Sequence, residues 1–115
     1  MIYRFLSKIA LILLISVSTI AQTVTVKIIE TSDVHGAIFP FDLKENKEIN
    51  SSLARVTTYL KEQRADTNQI VFLLDNGDIL QGDPVVYYYN FEKTDTIHLY
   101  ADVMNFMKYD AASVG

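Results

Sequence analysis

The run Ile70-Val71-Phe72-Leu73-Leu74, closed at once by the turn pair Asn76-Gly77, constrains the fold more than any other segment. An uninterrupted apolar run of this length reads as a strand buried on both faces, the pattern of a parallel sheet. Residues 24–31 are rich in β-branched side chains and read as another strand, buried on at least one face. Between the two, Ser51 or Ser52 can cap a helix that runs to Ala65, with Leu53, Val56 and Leu60 at helical spacing. Further on, Thr94 or Asp95 can cap a helix that runs to Lys108, lined by Ile97, Tyr100, Ala101, Met104 and Met107. Residues 110–115 read as a short third strand. The order strand, helix, strand, helix, strand predicts an α/β fold: a βαβαβ unit with a parallel sheet and right-handed crossovers.

In such sheets ligands collect beyond the carboxyl ends of the strands. Asp33, His35, Asp78 and Gly115 all fall there. A carboxylate and a neutral imidazole two residues apart can turn to one side and hold a divalent ion, and Gly36 lets the backbone bend away behind them. Asp78 follows Gly77 at the corresponding end of the next strand, so three donors can meet across adjacent loops. The plainer alternative is turn chemistry, which Asp, Asn and Gly favour in any loop. Residues 32–50 are expected to be a long loop, a length that in a compact domain is usually functional.

Of the 115 residues, 1–21 read as a secretory signal peptide: Arg4 and Lys8, then an apolar run from Ile9, then small residues ending at Ala21. That run is shorter than the roughly 20 residues a spanning helix needs, so no stable membrane span is expected after cleavage. The chain is expected to be exported, to a periplasmic or extracellular location, with residues 22–115 as the mature part. Removing Arg4 and Lys8 from ten basic residues leaves eight against fourteen acids, a net charge of −6. Such a balance excludes a nucleic-acid polymer as partner, since that needs clustered Lys and Arg. The absence of cysteine excludes thiolate zinc sites and a disulfide framework.

Three segments together make the reading specific. Ile29-Glu30-Thr31-Ser32-Asp33-Val34-His35-Gly36, Ser52-Leu53-Ala54-Arg55-Val56 and Leu74-Asp75-Asn76-Gly77-Asp78-Ile79-Leu80-Gln81-Gly82 resemble, in order and spacing, the calcineurin-like metallophosphoesterases. Within that family the chain is most similar to the exported branch of 5′-nucleotidases and 2′,3′-cyclic-nucleotide 2′-phosphodiesterase/3′-nucleotidases. The resemblance implies a four-layer α/β/β/α domain, of which this chain supplies the N-terminal βαβαβ portion. It also implies two divalent cations (Zn, Mn, Fe or Mg), with Asp33 and His35 ligating the first and Asp78 bridging, and a nucleotide or cyclic nucleotide as substrate.

The family's following Gly-Asn-His motif begins at a glycine matching Gly115, so its catalytic His, its remaining ligands and its C-terminal nucleotide-binding domain are not among these residues. The expectation is therefore an N-terminal fragment that is inactive alone. The rival from another class is a small exported module that holds a metal without catalysis. His98 is expected to be a solvated residue on the second helix, Arg55 to pack the loop against the sheet, and the run 87–89 to pack beneath its loop. Gln81 and Gly82 are expected to shape the loop that holds Asp78.

Overall fold

The computed structural model describes residues 23–115, together with residues 2, 3, 4, 6 and 8. The signal-peptide reading of residues 1–21 otherwise lies outside the described residues. Among them, no helix is long and apolar enough to cross a membrane.

β1 (Thr25–Thr31) and a later strand, Gln69–Asp75, pair in parallel from Thr25 opposite Gln69 to Thr31 opposite Asp75. Two short strands, β2 (Phe41–Asp42) and β3 (Lys47–Glu48), form an antiparallel hairpin between them. The Gln69–Asp75 strand is thus β4. β5 (Ala111–Ala112) joins its far side in parallel, giving the order β1-β4-β5.

α1 (Leu53–Ala65) connects β1 to β4, and Ser52 rather than Ser51 caps it by accepting from the Arg55 N–H. A short α2 (Pro84–Tyr87) runs straight into a π-helical turn, Tyr88–Glu92, and α3 (Leu99–Met107) leads to β5. Because the strands step in one direction, right-handed crossovers place α1 and α3 on the same face of the sheet. The core agrees: Leu53 and Leu60 of α1, Leu73 of β4, and Tyr100 and Met107 of α3 form one buried cluster with Ile38, Ile79 and Val86. Arg64, in the last turn of α1, donates to the carbonyls of Met107 and Lys108 at 2.6 and 2.9 Å. These are carbonyls that the end of α3 leaves without a helical partner.

Three expectations need correction. β4 is not buried on both faces: Ile70 and Phe72 are 50% and 42% exposed, since both helices lie on the side of Leu73. Residues 32–50 are not a featureless loop, because they hold the β2–β3 hairpin. The second helix starts at Leu99, not beside Thr94 or Asp95, because the His98 side chain caps it by accepting from the Tyr100 N–H at 3.0 Å.

Candidate metal centre

Thr31 and Asp75 are partners in the parallel register, so β1 and β4 release their chains at the same level. The pairing then continues into the loops. Asp33 donates its N–H to the Gly77 carbonyl and His35 donates its N–H to the Asp78 carbonyl, both at 3.1 Å. Asp83 in turn donates its N–H to the His35 carbonyl at 3.1 Å. The two loops carrying all three sequence-predicted donors are thus fixed to one another through their backbones.

Those donors have an unusual backbone. Asp33, His35 and Asp78 have φ of 53°, 48° and 56°. The left-handed region is uncommon for residues other than glycine. Two other non-glycine residues of the described chain share it, Asn46 in the hairpin turn and Lys108 at the C-cap of α3, where such geometry has an ordinary cause. No helix end or hairpin accounts for the other three. Strain of this kind, about 1–3 kcal/mol per residue, persists where surrounding structure imposes it and concentrates at functional sites.

Glycines make the close approach of the loops possible. A Cβ on Gly77 would stand 2.7 Å from the Gly115 nitrogen, and one on Gly115 would stand 2.6 Å from the Asp78 nitrogen. The chain after β5 therefore lies directly against the Asp78 turn, as the strand order requires. A Cβ on Gly82 would likewise meet the His35 Cβ at 3.0 Å, which is how this glycine shapes the loop.

The side chains converge less completely than the backbone. The His35 Nε2 lies 4.0 Å from the Asp33 Oδ1, with both side chains substantially exposed. Asp33 Oδ2 accepts from the Ser32 hydroxyl at 2.5 Å. His35 faces a cavity of about 540 Å³ that the β2–β3 hairpin helps to enclose, whereas Asp78 faces a smaller cleft of about 220 Å³ beside Leu80, Val114 and Gly115. Gln81 lines both. Among the described residues, no three carboxylate or imidazole groups come together as a metal-holding set. A carboxylate and an imidazole are donors that suit a hard or borderline divalent ion, and of the three residues Asp33 and His35 are the two whose side chains approach each other.

Beneath the turn lies a polar network that the sequence reading missed. The Asp75 carboxylate accepts from the Thr31 hydroxyl at 2.5 Å and from the Gly77 N–H at 2.8 Å, and the Thr31 hydroxyl also bonds the Tyr109 hydroxyl at 2.8 Å. Burial pushes the Tyr100 and Tyr109 hydroxyls above the usual tyrosine range, and the nearby Asp75 carboxylate adds to both shifts. An acid closing an apolar run was the available signal, but Asp75 is submerged in the turn pattern that follows it.

The lesser candidates sit differently from expectation. His98 is not a solvated helix residue: its Nδ1 caps α3 and its Nε2 bonds the Asn90 amide oxygen at 3.1 Å. Tyr87 and Tyr88 do not pack beneath their loop, being 59% and 48% exposed. Arg55 is exposed, and its N–H is the group that Ser52 caps.

No family sequence model matches the chain. Individual proteins do. The chain is 34% identical over 102 residues to the trifunctional nucleotide phosphoesterase protein YfkN of Bacillus subtilis, covering 83% of this chain and 7% of that protein. The crystal structure of calcineurin-like phosphoesterase YfkN superimposes with a TM-score of 0.66 at 33% identity, over 76% of this chain and 28% of the other. The chain belongs to the calcineurin-like phosphoesterases.

Within that family it is 31% identical over 114 residues to a 2′,3′-cyclic-nucleotide 2′-phosphodiesterase/3′-nucleotidase of Yersinia enterocolitica, covering 96% of this chain and 17% of that protein. A Staphylococcus aureus protein described as a 5′-nucleotidase superimposes at a TM-score of 0.66 and 31% identity, over 78% of this chain and 18% of the other. The chain thus spans a small part of the length of the relatives it matches. Its α/β unit, with a parallel sheet and its helices, is the corresponding part of their fold.

Proposed function

We propose that this chain is the N-terminal part of an exported, metal-dependent phosphoester hydrolase that acts on nucleotides or 2′,3′-cyclic nucleotides. In this reading Asp33 and His35 would hold one divalent ion, and Asp78 would be the ligand shared with a second. The observation that carries it is the coincidence of left-handed backbone at Asp33, His35 and Asp78 on two loops bonded to each other. Cations held there supply charge neutralisation to phosphate oxygens. The chain's own contribution is to fix both loops so that the donors share one end of the sheet. Similarity to YfkN and to the Yersinia enterocolitica protein supports nucleotides as the substrate class.

On their own, these residues bind metal without turning over substrate. The rival, a metal-binding module with no catalytic role, draws on the same fact: Asp33 and His35 are paired while no three-donor group is formed among the described residues. Calorimetric titration of the full chain with Mn²⁺, alongside assays on AMP and 2′,3′-cyclic AMP, tests the proposal. Saturable Mn²⁺ binding that weakens in Asp78→Ala, with no hydrolysis, is the expected result. Turnover that disappears in Asp78→Ala would overturn the inactive-alone reading, and absence of Mn²⁺ binding would overturn the metal centre itself.

A further inference from the structure

Asp75 is 5% exposed, and a buried carboxyl group is costly unless its oxygens are well bonded. Neither of its oxygens is idle. Oδ1 accepts from the Gly77 N–H at 2.8 Å, and Oδ2 accepts from the Thr31 hydroxyl at 2.5 Å, which meets the Tyr109 hydroxyl at 2.8 Å. One carboxylate therefore links the end of β1, the turn after β4 and the segment entering β5. The backbone repeats the same junction, since Asn76 donates to the Thr31 carbonyl at 2.8 Å and Ser113 donates to the Asp75 carbonyl at 3.0 Å.

The consequence lies one peptide further along. Gly77 and Asp78 are successive residues with φ of 101° and 56°, a backbone that a flexible turn would leave. Holding the Gly77 N–H orients the turn so that the Gly77 carbonyl meets the Asp33 N–H and the Asp78 carbonyl meets the His35 N–H. We propose that Asp75 is the positioning residue of the centre, a buried clamp that sets the turn carrying Asp78 and, through two backbone bonds, the loop carrying Asp33 and His35. The metal part of this proposal rests on the reading of those three residues as ligands. The clamp itself rests on the bonds above.

The alternatives separate by replacing Asp75 in two ways. In Asp75→Asn the amide oxygen can still accept from Gly77, while its NH₂ donates to Thr31, whose hydroxyl then donates to Tyr109. In Asp75→Ala every one of these bonds is lost. Mn²⁺ titration of the full chain is read beside amide hydrogen exchange at Gly77, Asp33 and His35 by NMR, with far-ultraviolet circular dichroism reporting the fold. The expected result is that Asp75→Ala stays folded, binds Mn²⁺ roughly 10–100-fold more weakly, the usual effect of losing an outer support, and loses protection at all three amides. Asp75→Asn is expected to retain most of both.

Wild-type Mn²⁺ affinity in Asp75→Ala, or protection kept at Asp33 and His35, would overturn the clamp, as would an Asp75→Asn protein as impaired as the alanine variant. If Asp75→Ala does not fold, Thr31→Val, which removes one of the carboxylate's two donors, carries the same test with a smaller loss. If the wild-type chain does not bind Mn²⁺, the ligand reading fails, while the exchange data still decide the clamp.

Discussion

Replacing His35 with glycine should make the metal-free protein more stable. His35 has φ of 48°, and for an L-residue the left-handed conformation costs about 1–2 kcal/mol. Glycine adopts it freely but gives back roughly 0.5–1 kcal/mol because its unfolded chain is more disordered. The imidazole is 45% exposed, and its 4.0 Å approach to Asp33 is a surface pair whose loss costs little. The net gain is about 0.5–1 kcal/mol, which for a domain of this size raises Tm by roughly 2–8 °C. Thermal unfolding followed by circular dichroism in EDTA measures it. His35→Ala is the control, since alanine keeps the backbone cost and loses the same imidazole. Both variants should bind Mn²⁺ less well than the wild type. A His35→Gly protein that melts at or below the temperature of His35→Ala would show that this loop carries no such strain and that the left-handed backbone at His35 does not mark a functional site.

Gly77→Ala should destabilise by about 2 kcal/mol or more, because φ of 101° is hostile to a side chain and the new methyl would lie 2.7 Å from the Gly115 nitrogen; a urea midpoint measures the loss. Tyr100→Phe should stabilise by about 1 kcal/mol, since the Tyr100 hydroxyl is buried without a hydrogen-bond partner; the same urea titration reads it. The Tyr100 and Tyr109 hydroxyls are both raised from the ordinary value of 10.0, so the folded protein holds these protons more tightly than the unfolded chain. Stability from this source is complete below about pH 10 and is lost as pH rises toward the folded values. Tyr100→Phe should flatten that alkaline decline, which chemical unfolding at stepped pH would record.

The long strands β1 and β4 and the loops that follow them were legible because their signals are local, whereas the β2–β3 hairpin was not. β-Branched residues in 25–31 and the apolar run closed by Asn76-Gly77 state strand and turn within a few positions, and a parallel sheet then brings Asp33, His35 and Asp78 to one end. What escaped depends on partners distant in sequence. The cap at His98 competes with good capping residues at Thr94 and Asp95, and its Nε2 is fixed by Asn90 in the π-helical turn. The role of Asp75 is visible only once Thr31 and Tyr109, far apart in the chain, are seen against it. The open face of β4 likewise depends on both crossovers lying on one side, which composition of the strand does not reveal.

That open face carries a consequence of its own. Val26, Ile28, Ile70 and Phe72 are 56%, 64%, 50% and 42% exposed on the side of the sheet away from Leu73. Full burial of such a side chain contributes about 1.5–3 kcal/mol, so covering four half-open ones is comparable with a good part of the total stability of a small domain, about 5–15 kcal/mol. An apolar patch of this kind marks a surface that is covered in a larger assembly or that drives association. The double variant Ile28→Thr with Phe72→Thr should therefore reduce self-association in sedimentation velocity and lower dye binding to apolar surface. Its unfolding free energy should fall by about 1 kcal/mol or less, since little buried contact is removed. Leu73→Ala, on the packed face at 0% exposure, should by contrast cost about 2–5 kcal/mol. Equal losses from the two would mean that the outer face is packed in solution, and the reading of a sheet covered on one side only would be wrong.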